Sequence, residues 1–134
     1  MKDIIFDNFQ NSVDGSLLRH KSILDIMTKL QESDGRINRA IAKSVTNCGC
    51  IHIEAKSQLP TEDSEDININ ELPNILDTHT RGILCENCRE VIEREVGNHL
   101  FYLTSLCNTL DLNLYDILLR EYDRINTLGK YSLR

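Results

Sequence analysis

Apolar residues between Gly82 and Leu110 recur with a helical period. Ile92, Val96, Leu100, Leu103, Cys107 and Leu110 are separated by four, four, three, four and three residues, the spacing of one helix face rather than the alternation of a strand. From Leu17 to about Val45, Ile23, Met27, Leu30, Ile37, Ile41 and Val45 make a second such stripe, with Asp34 filling the gap between Leu30 and Ile37. Gly35 costs about 1 kcal/mol relative to alanine, so one bent helix and two collinear ones both satisfy the pattern. Asp14-Gly15-Ser16 reads as the turn before it, with Ser16 or Asp14 as the cap. Asn113, with Asp116 three residues on, reads as an imperfect capping box opening a last helix through roughly Tyr122. Asp111-Leu112-Asn113 is then a tight turn between two antiparallel helices.

The remaining stretches are less periodic. Ile4, Ile5 and Phe6 form a cluster too short to assign among strand, helical turn and packing arm, and residues 1–15 are read as an N-terminal arm. Ile51-His52-Ile53-Glu54 alternates and predicts a short extended segment. Residues 54–81 carry only a weak apolar set (Ile67, Ile69, Leu72, Ile75, Leu76) around the breakers Pro60 and Pro73. We expect a long loop there with one short helix near Asn74–Asp77. A loop of that length in a compact domain goes with function or partial disorder.

Length and composition narrow the class. A chain of 134 residues with no Trp and two prolines is most simply one all-α domain over 1–134, large enough to bury roughly two-thirds of its unfolded surface. No run approaches the roughly 18 apolar residues of a membrane span, and MKDIIFDNFQ lacks the basic-then-apolar order of a signal peptide, so a soluble cytoplasmic protein is expected. The net charge of −6 is unevenly spread. Glu62, Asp63, Glu65, Asp66, Glu71 and Asp77 lie between Ser57 and Thr80 without a Lys or Arg among them. The remainder is close to neutral, which disfavours duplex nucleic acid as a partner, because affinity for phosphates needs clustered cations. The acidic stretch itself reads first as a solvated loop, and second as an interaction or metal-gathering segment.

Two features carry chemistry. Asp34 interrupts an apolar stripe, and a carboxylate there must be paired, hydrated or metal-bound. Either it turns outward or pairs with Arg36 or Arg39, or it shares a polar pocket with Glu32 and acids on the Gly82–Leu110 helix. The cysteines make the stronger statement. Cys48 and Cys50 sit at the C-terminal end of one predicted helix, and Cys85 and Cys88 at the N-terminal end of another. Antiparallel packing would bring the pairs together as a closed four-thiolate site for structural zinc. The positive end of the second helix favours thiolate at Cys85 and Cys88, and the site would fasten the ends of the acidic loop. An iron–sulfur cluster, a redox pair and no metal at all are the alternatives, with His52 as a substitute ligand. Cys107 reads as a small core residue, and His99 and Tyr102 as boundary residues of the bundle.

The segment Glu95-Val96-Gly97-Asn98-His99-Leu100-Phe101-Tyr102-Leu103, continued by Leu106-Cys107-Asn108-Thr109-Leu110-Asp111-Leu112-Asn113-Leu114, resembles the third-helix motif of the MazG-like all-α nucleotide pyrophosphohydrolases. Lys29-Leu30-Gln31-Glu32-Ser33-Asp34-Gly35-Arg36-Ile37, with Ala40-Ile41 after it, is similar to the Glu-rich helix that precedes it. Together these cover about residues 20–45 and 85–125. The resemblance implies a helical bundle that assembles as a dimer or tetramer. In that family, two Glu-rich helices hold Mg²⁺ on a nucleotide triphosphate and activate water for pyrophosphate release, chemistry that needs hard oxygen ligands.

Carried over by position, Glu32 matches the first family acid and Glu95 the first acid of the third-helix pair. Ser33 and Arg36 stand where two further acids would be, and Asn98 stands for the second acid of that pair. The candidate magnesium-binding remnants are therefore Glu32, Asp34, Glu95 and Asn98. The reading is a MazG-like, zinc-stabilised, oligomeric binding or regulatory module with degenerate chemistry that binds a protein partner or senses a nucleotide. Its alternative is an active Mg²⁺-dependent (d)NTP pyrophosphohydrolase using Glu32, Asp34, Glu95 and either Glu90 or Glu93.

Overall fold

The first helix starts well ahead of the apolar stripes. In the computed structural model, which describes residues 2–58, 68–132 and 134, α1 spans Lys2–Ser16 and takes in the segment left open between strand, turn and arm. It passes straight through Asp14-Gly15-Ser16, and the Leu17 amide still reaches the Val13 carbonyl at 3.0 Å. The capping role assigned to Asp14 or Ser16 falls instead to Ser22, whose Oγ accepts from the Leu24 amide at 3.3 Å.

α2 follows over Ile23–Lys43 without a break at Gly35. Its end widens into a π turn over Ser44–Cys48, closed by the Gly49 amide on the Ser44 carbonyl at 2.8 Å. Gly49 then leaves in the left-handed region, at φ 77°, where glycine carries no steric penalty. β1 (Ile51–Ile53) pairs antiparallel with β2 (Thr80–Gly82), with Ile51 opposite Gly82 and Ile53 opposite Thr80. The short helix between them, α3 (Leu72–Ile75), begins two residues earlier than expected because Pro73 fits its first turn. Glu62, Asp63, Glu65 and Asp66, with Pro60 and Ile67, lie outside the described residues.

α4 (Glu86–Thr109) and α5 (Leu114–Leu128) complete the helical set. Asn113 caps α5 as its sequence predicts, accepting from the Asp116 amide at 2.9 Å, but the helix continues past Tyr122. The expected antiparallel α4–α5 hairpin does not define the packing, since α5 lies mainly against α1, where Phe6 and Tyr115 stack with centroids 5.9 Å apart. The dominant pair is α2 with α4. Ser33 meets His99, Arg36 meets Glu95, and Cys48 meets Cys85, so the two helices run antiparallel.

α1 is fastened to the α4–α5 turn chiefly by the Gln10 side chain, with Asn108 also donating to the Gln10 carbonyl at 2.9 Å and Asn113 to Asp7 at 3.4 Å. Gln10 donates to Asn108 Oδ1 at 2.9 Å and to the Leu112 carbonyl at 3.0 Å, and accepts from the Leu114 amide at 2.7 Å. The base of the long loop is held by charge. Arg81 pairs with Asp77 and, at 3.3 Å, with Glu54. Gln58 and the Asp77 backbone exchange two hydrogen bonds of 2.8 and 2.9 Å.

The buried apolar set among the described residues is small: Val13, Ile26, Ile51 and Cys107. Gln10, Ser33, Ser44, Thr104 and Ser105 are buried beside them. On α2 the inward stripe is Ile26, Leu30, Ser33, Ile37, Ala40 and Ser44, rotated from the predicted one so that Met27 and Ile41 are exposed. Asp34 accordingly faces solvent. On α4, Val96, Leu100 and Leu110 are also exposed. No described helix is long and apolar enough to cross a membrane.

Candidate metal centre and the α2–α4 cavities

The π turn and the two-stranded ladder deliver the four cysteines to one place. Cys48 ends the turn, Cys50 precedes β1, and the chain returns along β2 to Cys85 and Cys88 at the start of α4. Their sulfur atoms all lie within 4.8 Å of one another, and Cys48 Sγ is 3.7 Å from Cys85 Sγ. Thiolates about 2.3 Å from a tetrahedral zinc ion stand about 3.8 Å apart, so the four side chains fit a metal ion with every position filled by protein. His52 is not among them. Its Nε2 lies 3.6 Å from Glu54 on the exposed side of β1.

Glycine at position 82 is a geometric condition of this arrangement. Gly82 has φ +90°, and a Cβ built on it would stand 2.4 Å from the Cys50 carbonyl oxygen. Only a residue without a side chain lets the strand pass behind the first cysteine pair.

The thiols are not equivalent. Cys85 is the N-cap of α4, its sulfur accepting from the Cys88 amide at 3.4 Å. That backbone hydrogen bond, reinforced by those from the Cys88, Cys48 and Cys50 side chains, lowers it to about 7. Cys88 is pushed up to about 12: a hydrogen bond with Ser44 pulls it down, but those with Cys85, Cys50 and Cys48, together with burial, outweigh it. Cys48 is raised as well, the pull of the Cys50 backbone being outweighed by the Cys85 and Cys50 thiols together with burial. The cluster therefore presents one ready thiolate, while others keep their protons until a cation displaces them. Cys107 is buried on α4, away from this group, and burial raises its thiol.

Two cavities open along the α2–α4 seam. One, of about 350 Å³, is lined by Glu32, Ser33, Arg36, Glu95 and Asn98, among others. Three of the four candidate magnesium ligands thus converge and the fourth does not, because the rotation of α2 turns Asp34 out of the seam. Glu90 does not line this cavity and pairs at 3.4 Å with Arg94, which does. Between Glu32 and Glu95 stands Arg36, with Nε 3.1 Å from Glu95 and Nη1 3.9 Å from Glu32.

Ser33 gave no signal in the sequence beyond occupying an acid's place in a motif, yet its side chain joins the helices. Its Oγ bonds the Leu30 carbonyl at 2.6 Å and lies 2.8 Å from His99 Nδ1. A hydroxyl has one proton, so with that proton on Leu30 the ring nitrogen is the donor.

Fold and site together define a mostly helical protein whose four clustered cysteines can hold a metal ion. Comparison with protein-family models, with curated proteins and with solved structures finds no match for this chain.

Proposed function

We propose that this is a zinc-stabilised helical module, MazG-like in fold and without pyrophosphohydrolase activity, which self-associates in the cytoplasm and binds a nucleotide or a protein partner. The observation that carries the proposal is the position of Arg36. A guanidinium bridging Glu32 and Glu95 neutralises the two carboxylates that would otherwise hold magnesium and places a fixed positive charge where the ion would sit. Cys48, Cys50, Cys85 and Cys88 would hold the zinc. A site closed by four thiolates leaves no position for water or substrate, so the ion joins the end of α2 to the start of α4 rather than taking part in chemistry.

The test is pyrophosphate release from a panel of NTPs and dNTPs with Mg²⁺ or Mn²⁺, on protein purified without chelator and shown to contain zinc. We expect no turnover. A second reading, an active enzyme, is favoured by the convergence of Glu32, Glu95 and Asn98 on one cavity. Turnover that disappears in Glu95→Gln would establish it and sink the first.

A further inference from the structure

The seam holds a second cavity, of about 550 Å³, lined by Arg36, Arg39 and Lys43 from α2, Asn47 and Cys48 from the π turn, and Asn87, Cys88, Val91 and Glu95 from α4. Arg36 is engaged with Glu95 and Glu32, which leaves Arg39, Lys43, Asn47 and Asn87. Among the described residues, none of these four side chains makes a hydrogen bond or an ion pair, although all four line one concavity. All four are exposed, and the chain's excess of six acids is accounted for by residues 57–80. Arg39 and Lys43 lie four residues apart, on successive turns of the same helix face, and Asn87 lies in the first turn of α4, where the helix dipole also favours an anion.

A simpler role for the two cations is to balance the charge of a metal–thiolate centre. Such a role needs no contact with sulfur, since charges act across several ångströms. Nor does it call for two carboxamides or for an open volume of nucleotide size.

We propose that this cavity binds a small organic phosphate without a divalent cation, with Arg39 and Lys43 on the phosphate oxygens, Asn47 and Asn87 supplying further donors, and Val91 and Ala40 forming the wall for the ester's body. An arginine offers a forked pair of N–H donors matched to phosphate geometry, and a lysine adds a point charge on the same group. The inference rests on the reading of the chain as a binding module and gives that module a ligand class.

The test uses the full, zinc-loaded chain in calorimetric titrations with inorganic phosphate, AMP and glycerol phosphate, with no magnesium present. The double substitution Arg39→Gln/Lys43→Gln is compared with Arg120→Gln, an exposed charge on α5. We expect saturable binding, weakened by about tenfold or more in the double variant and unchanged in Arg120→Gln. AMP binding more tightly than the other two would identify a nucleotide as the source of the phosphate, and equal affinities would identify the phosphate group alone. Absence of saturable binding up to about 10 mM ligand overturns the proposal. So does a double variant that loses zinc to a chelator more readily while phosphate binding is unaffected, since the cations would then serve the metal. Pyrophosphate release from a triphosphate would refute the non-catalytic reading instead, and the double variant would still decide the cavity.

Discussion

Replacing Arg36 by glutamate would exchange the cation between Glu32 and Glu95 for a third carboxylate. Opposite charges a few ångströms apart, near a protein surface, are worth on the order of a few kcal/mol, so Arg36→Glu is expected to bind Mn²⁺ about tenfold or more tightly than the parent, as read by calorimetry. No gain would mean that Arg36 does not govern this cavity. Gly82→Ala tests the other centre at one atom: with 2.4 Å between the new Cβ and the Cys50 oxygen, the strand must move. Zinc should then pass to a competing chelator at a markedly lower chelator concentration, with the helical signal largely kept.

Acidity is also a single-residue matter. Cys85 is held below the ordinary thiol value of 9.0, at about 7. In the metal-free protein its stabilising contribution is full above 9.0 and is lost as pH falls through about 7. The 240 nm thiolate absorbance should therefore show one early step near neutrality, absent in Cys85→Ser. The cysteines were legible in the sequence because metal chemistry demands the residue type itself. Ser33 and Arg36 were not legible as partners of His99 and Glu95, because serine and arginine serve many roles and only packing selects one.

At the scale of elements, helices were readable from periodicity and their phases were not. The α2 stripe through Met27, Asp34 and Ile41 is a sound helical face, but the face turned inward is the one through Ser33 and Ser44. Small side chains there let α4 approach closely, which hydrophobicity does not score. The start of α1 was similarly hidden, since its anchor is not the apolar Ile4–Phe6 cluster but Gln10, a polar residue satisfied by groups about a hundred positions away. Removing that amide in Gln10→Ala leaves the Leu114 amide and the Leu112 carbonyl without partners. Equilibrium denaturation should show a loss of roughly 2–3 kcal/mol. The loop base behaves likewise. Asp77 is held well below the usual carboxylate range by Arg81 first and by the His79 backbone second. Its contribution is complete above the ordinary value of 3.8 and disappears on acidification below it.

For the whole molecule the decisive quantity is surface. Among the described residues only four apolar side chains are buried, a small core. Meanwhile α5 leaves Ile117, Leu118, Leu119, Tyr122, Ile125 and Leu128 exposed, and α1 leaves Ile4, Ile5 and Phe9 exposed. Open apolar faces on two helices of one small domain support the proposed self-association. Light scattering on eluting protein should give a mass at least twice 15.4 kDa, and Ile125→Glu should lower it. A parent of monomeric mass would count against the proposal. Sequence reasoning noted the Ile4–Phe6 cluster and the last helix but could not say what these faces meet, because periodicity records a face and not its neighbour.

The antiparallel helix pair is joined at three levels along its length, by Ser33 with His99, by Arg36 with Glu95, and by Cys48 with Cys85. Rods pinned at three heights cannot slide past each other without breaking all the pins at once. The pair can still bend, or roll about its common axis.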